Sequence, residues 1–312
     1  MSRVVTIASV GPAAQRPYPG QRYASMAAQI LDALREHLKA ALCDAPDLVV
    51  LPENCNRPEG YDPVKDRAYF DEFDASFREM ISGLAREHHA NIVYPAYVFE
   101  GGHTFNAMQL FGRNGEIAGQ YEKAYPTMGE IEDWRITPGR FPAELMRCDI
   151  GSIAGVICFD LNFNQLREHY AGMKPDLVVF SSMYHGGFKQ LLWAYSCRAP
   201  FVGCIAGPQN RILLPTGDAA AASTNYSPYA IGRVNLDGMM FHLDLNEPRF
   251  AAMKRKYGAK VKVSDPGFLG SVYVTSETDE FTILDMVREF GLEPLDDYFA
   301  RATAMADARR AH

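Results

Sequence analysis

The sequence predicts an α/β fold, and three features predict it. Short strand-like runs alternate with longer stretches of helical period from the start of the chain. Those runs are strongly apolar, as strands covered by helices are. An Asn114-Gly115 pair joins two β-type runs, which marks a hairpin and adds an antiparallel element.

The elements follow in order. Residues 4–10 read as a first strand, and residues 21–43 carry a helical period through Met26, Ile30, Leu31, Leu34 and Leu38. Residues 47–51 form a short apolar run ending in Pro52-Glu53, the pattern of a buried strand. Residues 66–90 read as a second amphipathic helix and 91–99 as a strand, followed by hairpin strands at 104–113 and 116–121. After a loop rich in Pro and Gly, strands are expected at 151–157, 176–180, 201–206 and 229–235, with helices at about 163–171 and 187–198. Nothing reads as an interdomain linker, so one domain is expected over residues 1–240. Residues 241–312 form a C-terminal extension, helical first at about 246–257, turning at Asp265-Pro266-Gly267 and ending charged and amphipathic. The extension reads as an arm, a cap or a partner surface, packing on the domain or on a second subunit.

Composition narrows the function. With 47% hydrophobic and 22% charged residues over 312 positions, the chain has enough apolar surface to offset chain entropy and is not a disordered protein. A net charge of -7 argues against a nucleic-acid partner. The basic run of Lys254, Arg255, Lys256, Lys260 and Lys262 reads as a solvated helix face. No stretch reaches the ~18 apolar residues of a membrane span, and the opening segment MSRVVTIASVG reads as a strand rather than a signal, so a cytoplasmic location is expected. Cys43, Cys55, Cys148, Cys158, Cys197 and Cys204 include no C-x-x-C pair; free thiols are expected, and no metal site.

Four ionisable residues sit where strands should end. Glu53 follows Leu-Val-Val-Leu-Pro, Lys123 follows the hairpin, and Cys158 follows Gly-Val-Ile just before a helix-forming stretch; Glu130 lies seven residues beyond Lys123 in a loop. Ligands of open α/β sheets bind outside the carboxyl ends of strands, so a thiol, an amine and two carboxylates are expected at one mouth. A thiol at a strand-to-helix turn faces the helix N-terminus, whose positive end favours thiolate. Attack on an amide or nitrile carbon needs a nucleophile, a base, and positive charge where the oxyanion develops. Cys158, Glu53 and Lys123 fit those roles, with the Phe159 N–H beside Lys123 and Glu130 orienting the set. Taken singly, each has a bland alternative: Cys158 as a core thiol, Lys123 as a surface lysine paired with Glu122 or Glu116, Glu53 as a turn cap.

At these residues the chain resembles the nitrilase superfamily, the carbon–nitrogen hydrolases. The matching segments are LPEN at 51–54, YEKAYPTMGE at 121–130 and GVICFDLNF at 155–163, with FNAMQLFGRNGEIAGQYEK as the lead-in to the lysine. The resemblance covers roughly residues 3–240; RAPFVGCIAG and the NLDG at 235–238 match more loosely. It implies an αββα sandwich with mixed sheets, a homodimer or larger assembly, no cofactor, and a catalytic Glu53, Lys123 and Cys158 with Glu130 as the additional glutamate. Tyr184, His185, Tyr125 and Phe159 fall where the family lines its substrate pocket, and Trp134 borders it.

There are departures. Asn162 and Phe163 stand where carbamoyl-hydrolysing relatives carry arginines for a substrate carboxylate, and Arg198-Ala199-Pro200-Phe201 lacks a supporting glutamate. Cys158-Phe159-Asp160 resembles the amidase side of the family more than the nitrile-hydrolysing side. The expected activity is cleavage of a non-peptide C–N bond, amide or carbamoyl, of a small molecule through a Cys158 thioester. Nitrile hydrolysis at the same residues, a Cys–His hydrolase using His185, and a non-catalytic binding protein of the same fold are the alternatives.

Overall fold

The computed structural model describes residues 3–310. Strand β1 (Val4–Val10) leads into helix α1 (Tyr23–Leu42), β2 (Leu48–Val50), α2 (Arg67–His88) and β3 (Asn91–Glu100). The strands pair in parallel, β1 with β2 and β2 with β3. The hairpin β4 (His103–Phe111) and β5 (Ile117–Glu122) extends this sheet antiparallel, turning at Gly115 with φ 79°. The left-handed backbone there suits a residue without Cβ.

The chain then forms α3 (Met128–Glu132), β6 (Met146–Cys148), β7 (Gly151–Ile157), α4 (Asn164–Met173), β8 (Leu177–Ser182), α5 (Lys189–Cys197) and β9 (Phe201–Ile205). It continues through β10 (Arg211–Leu213) and β11 (Ala219–Ala222), and β12 (Tyr229–Asn235) returns to pair antiparallel with β1. Two six-stranded mixed sheets result, in the orders β12-β1-β2-β3-β4-β5 and β11-β10-β9-β8-β7-β6.

Side-chain alternation explains why the strands read as continuously apolar. Val5, Ile7, Leu48 and Val50 enter a core shared with Ile153, Val179 and Val202 of the second sheet. Their neighbours Ala8, Val10, Val49 and Leu51 pack on the other face against Met26, Ile30 and Leu34 of α1 and Phe77 and Ile81 of α2. Trp193, Leu166 and Tyr170 cover the second sheet from α4 and α5. The architecture is the expected αββα sandwich. Polar groups also cross between the sheets: Ser9 Oγ donates to the Gly203 carbonyl at 3.0 Å, Ser181 Oγ to that of Leu51 at 2.8 Å, and Cys204 Sγ to that of Val50 at 3.2 Å.

The C-terminal residues hold more structure than the sequence suggests. Strand β13 (Gly238–His242), which contains residue 240, pairs with β15 (Ser271–Ser276), and β14 (Val261–Ser264) pairs with β15 from the other side. Helices α6 (Glu247–Tyr257) and α7 (Ile283–Phe290) close a separate core of Phe241, Phe250, Met253, Val272, Val274 and Met286. Lys256 of the basic run pairs with Glu289 of α7. Helix α8 (Leu295–Arg310) seats Leu295 against Met240, Tyr273 and Tyr195, and Asp296 pairs with Arg198 at 3.0 Å. No helix among the described residues is long and apolar enough to cross a membrane.

Candidate active site

Four chain segments deliver the site. After β2, Leu51 is held by its N–H to the Val93 carbonyl at 3.1 Å and by Ser181 on its own carbonyl, so the following Glu53 leaves the sheet in a fixed direction. Lys123 follows β5 with its N–H on the Asn106 carbonyl and its carbonyl on Gly139, both at 2.8 Å. Glu130, expected in a loop, sits in α3. A capping box makes that helix: Thr127 Oγ1 accepts the Glu130 N–H, and the Glu130 carboxylate accepts the Thr127 N–H at 2.7 Å.

These residues converge in a buried cluster. Lys123 Nζ lies 3.0 Å from Glu53 Oε1 and 2.9 Å from both carboxylate oxygens of Glu130. All are nearly inaccessible, at 1% for Lys123, 4% for Glu53 and 6% for Glu130. Burial works against the Lys123 ammonium, but the Glu53 and Glu130 carboxylates outweigh it and hold the pKa above the ordinary lysine value. Burial likewise pushes the Glu130 carboxyl up, yet Lys123, the Thr127 N–H and Asn106 overcome it and keep it below the usual range. An ammonium has three donors. Its three contacts, one to Glu53 and one to each oxygen of Glu130, equal its donors in number.

Cys158 follows β7 in a left-handed conformation, φ 48°. That is costly for a residue with a Cβ, by about 1 to 2 kcal/mol. Buried Asp160 holds the turn. Its Oδ2 accepts the Ile157 N–H at 3.0 Å and the Tyr121 hydroxyl at 2.8 Å, and its Oδ1 accepts the Tyr125 N–H at 2.8 Å. Asp160 thus ties the cysteine turn to the segment that carries Lys123. Tyr121 can approach because residue 155 is glycine: a Cβ there would lie 2.7 Å from its ring.

The helix expected at Cys158 is a single 3₁₀ run, Cys158–Asn162, separated from α4 by extended Phe163. The short run offers its first free N–H groups, Phe159 included, but little macrodipole. The thiol is correspondingly not a resting thiolate. Burial and the Glu53 charge push Cys158 up to about 12, against the opposing effects of Lys123 and a hydrogen bond from Ser182.

The remaining predicted residues are placed as follows. Tyr125 stacks on Phe163 at 3.9 Å between ring centroids, and the exposed Phe159 ring meets Phe163 edge-on at 5.3 Å, so these rings form an aromatic wall. Tyr184, at the loop after β8, bonds through its hydroxyl to Asn162 Nδ2 at 3.3 Å. His185 is turned onto its own loop, its Nδ1 accepting the Gly187 N–H at 3.1 Å, and burial with nearby Arg211 lowers its pKa. The side chains that act on the sulfur are instead Ser182, Glu53 and Lys123. Trp134 carries the Arg57 guanidinium 5.3 Å over its ring. Beside Glu53 a recess is lined by Pro12, Ala13, Ile30, Leu34 and Met183, at the ends of β1 and β8 and along α1. Among the described residues, no group of three or more His, Cys, Asp or Glu side chains is arranged to hold a metal ion.

Two residues of this cluster escape a search for ionisable groups. Asn106, fully buried on β4, donates to Glu53 Oε1 at 2.8 Å and to Glu130 Oε1 at 3.0 Å. Ser182, fully buried at the end of β8, accepts the Tyr184 N–H at 2.9 Å and bonds to the sulfur. The signal for Asn106 is an amide inside a largely apolar strand, a position that demands a partner.

Comparison with known proteins agrees with this geometry. The family profile described as carbon-nitrogen hydrolase matches residues 6–222. The probable hydrolase YhcX of Bacillus subtilis is 29% identical over 131 residues, 41% of this chain and 25% of that protein. The chloroplastic omega-amidase of Arabidopsis thaliana is 27% identical over 182 residues, 52% of this chain and 48% of that protein. The chain thus spans about a quarter and about half of these relatives. Among solved structures, an amidase from Nesterenkonia sp. superposes with a TM-score of 0.63 at 16% identity, covering 81% of this chain and 96% of that one. A carbon–nitrogen hydrolase from Helicobacter pylori superposes with a TM-score of 0.58 at 16% identity, covering 82% and 93%. In a variant of the Nesterenkonia amidase the active-site cysteine carries the acetamide moiety of fluoroacetamide; that chain is 17% identical, with a TM-score of 0.63 over 81% of this chain and 97% of its own. Since the family profile spans residues 6–222, more than half of the chain and all of the segments that carry Glu53, Lys123, Glu130 and Cys158, the chain belongs to the carbon–nitrogen hydrolase family.

Proposed function

We propose that the protein is an amidase that hydrolyses a small-molecule amide through a thioester on Cys158, with Glu53 as base and Lys123 as oxyanion partner. The observation that carries this reading is one buried ammonium shared by two carboxylates, with the Cys158 thiol close enough for the charges of Glu53 and Lys123 to act on it. With its pKa pushed up to about 12, Cys158 rests as a thiol, so its proton leaves as the sulfur attacks. Glu53 Oε1 is held by Lys123 and Asn106, and its other oxygen takes that proton. The carbonyl oxygen becomes negative near the Lys123 ammonium and the first N–H groups of the 3₁₀ run. Glu53 then returns the proton to the leaving nitrogen, which departs as ammonia or an amine. Water, deprotonated by Glu53, then attacks the thioester carbon; the C–S bond breaks, Glu53 returns the proton to the departing sulfur, and the acid leaves with thiol and carboxylate restored. Glu130 stays ionised throughout and fixes the ammonium.

The similarity to amidases and to an omega-amidase supports an amide over a nitrile as substrate. The test is a panel of primary amides, carbamoyl compounds and nitriles scored for released ammonia, with acid-quenched protein digested for mass spectrometry. The expected result is turnover of amides with the acyl mass on the Cys158 peptide, both abolished in a folded Cys158→Ala variant. An acyl group on Cys55 or Cys204, or unchanged turnover in that variant, would overturn the reading.

A further inference from the structure

Two separate chain segments carry the two buried carboxylates. Inside the cluster, Lys123 and Asn106 each bond to both Glu53 and Glu130. Those bonds align the carboxylate oxygens but do not fix the backbones beneath them. Glu53 rides on the loop after β2, and Glu130 on α3, a helix of five residues. So short a helix has too few internal bonds to hold its own orientation.

An arginine joins the two segments. Arg57 lies one turn beyond Glu53, its N–H on the Asn54 carbonyl at 2.9 Å, and its Nη1 closes the loop by donating to the Tyr61 carbonyl at 2.8 Å. Tyr61 is in turn seated edge-on against Tyr23 and Tyr69. The same guanidinium lies 5.3 Å over the Trp134 ring, within the range of cation–π attraction. Trp134 is bonded straight back to α3: its N–H donates to the Gly129 carbonyl at 3.2 Å, and the Ile136 N–H donates to that of Glu130 at 2.8 Å.

Arg57 is half-buried and forms no ion pair with a carboxylate among the described residues. Glu59, two residues on, has both oxygens bonded by Arg16 at 2.9 and 2.7 Å. The Arg57 charge is therefore left to the ring, where a planar guanidinium stacks well. The buried Tyr97 hydroxyl registers how near the two parts lie: burial raises its pKa, Arg57 lowers it, and Glu53 and Glu130 raise it. Arg57 also lines the recess beside Glu53.

Resting on the amidase reading above, we propose that Arg57 is a positioning residue: its contact with Trp134 locks the Glu53 loop to the helix that carries Glu130, and so sets the direction in which Glu53 meets the Cys158 thiol. The test uses the full chain and the best amide of the panel above. It measures kcat, KM and melting temperature for Arg57→Leu, Trp134→Leu, their combination, and the conservative variants Arg57→Lys and Trp134→Phe. Each leucine variant is expected to lower kcat by about 10- to 100-fold, as a small displacement at a reacting group does, and to leave KM close to wild type. The double variant should lose no more than the worse single one, because the two side chains act through one contact. Arg57→Lys keeps a cation over the ring and Trp134→Phe keeps a ring under the cation, so each should recover most of the loss. Should Arg57→Leu not fold, Arg57→Gln takes its place, keeping bulk and losing charge. Unchanged kcat, losses that multiply in the double variant, conservative variants no better than leucine, or a loss in KM alone would each overturn the proposal; the last would make Arg57 a wall of the substrate recess. Those outcomes leave the amidase reading standing, whereas a wild type inactive on every amide would remove both.

Discussion

At the scale of single residues, Lys123 bears on stability and on the proposed chemistry alike. Its ammonium offsets two buried carboxylates that otherwise face each other across Asn106. Lys123→Met keeps the bulk and removes the charge. Breaking a buried pair by deleting one partner costs about 3 to 5 kcal/mol, and losing an oxyanion donor costs roughly 10²- to 10³-fold in kcat. Lys123→Met is therefore expected to show a lowered melting temperature and a fall in kcat of at least that size, measured on the same preparation. A variant that melts normally would mean the carboxylates take up protons without penalty. The titratable members of this cluster were legible in the sequence because Glu53 and Cys158 sit beyond apolar strands and Lys123 beyond the hairpin, with Glu130 seven residues further on. Asn106 and Ser182 were not, since neither ionises and both lie inside strands, where polarity registers only once burial is known. His185 drew attention as a titratable residue near a glycine pair, yet those glycines fold the loop so that the ring bonds its own backbone.

At the scale of elements, the turn after β7 depends on Asp160. Burial pushes its carboxyl up to about 6 from an ordinary value of 3.8, against the Lys123 charge and the donors that favour the ionised form. A carboxyl whose folded pKa is raised binds its proton more tightly in the folded state. Its contribution to stability is complete below pH 3.8 and is lost as pH rises through about 6. The loss amounts to roughly 3 kcal/mol. Asp160→Asn cannot ionise, although it gives up acceptor contacts at every pH. Its melting temperature relative to wild type is therefore expected to improve steadily between pH 4 and 7, whatever its starting deficit. A difference that stays flat over that range would show that Asp160 ionises alike in both states.

The elements that the sequence disclosed are those with length and period. The hairpin, α1, α2 and the parallel strands fall within a few residues of their expected limits. Short pieces were hidden for physical reasons. Helix α3 has five residues and no apolar period, and only its Thr127–Glu130 cap reveals it. Strand β10 has three residues, and β11 is a run of alanines with no strand preference of its own, held by pairing with β10.

At the scale of the whole molecule, the C-terminal residues form a small α/β unit rather than a bare arm. Its strands are short and its core comes from residues distant in sequence, so no local pattern announced it. Helix α8 is anchored at its start by Leu295, Asp296 and the Tyr298–Asp244 hydrogen bond at 2.6 Å, whereas residues 302–310 are exposed. Ending the chain after Arg301 should move the melting temperature by no more than about 2 °C and leave kcat as it was. A larger loss, accompanied by a change in sedimentation, would reveal that this end of the helix is covered by another subunit.

The proposed nucleophile and its proposed proton acceptor belong to different layers of the sandwich: Cys158 and Ser182 lie at strand ends of one sheet, Glu53 and Lys123 at those of the other. The bonds from Ser9, Ser181 and Cys204 across the interior therefore act as dowels that index one layer to the other. A slip between the layers too small to expose the core would still separate sulfur from carboxylate, so turnover becomes a caliper for that alignment. Mild denaturant or pressure should silence the enzyme while its secondary structure is still in place.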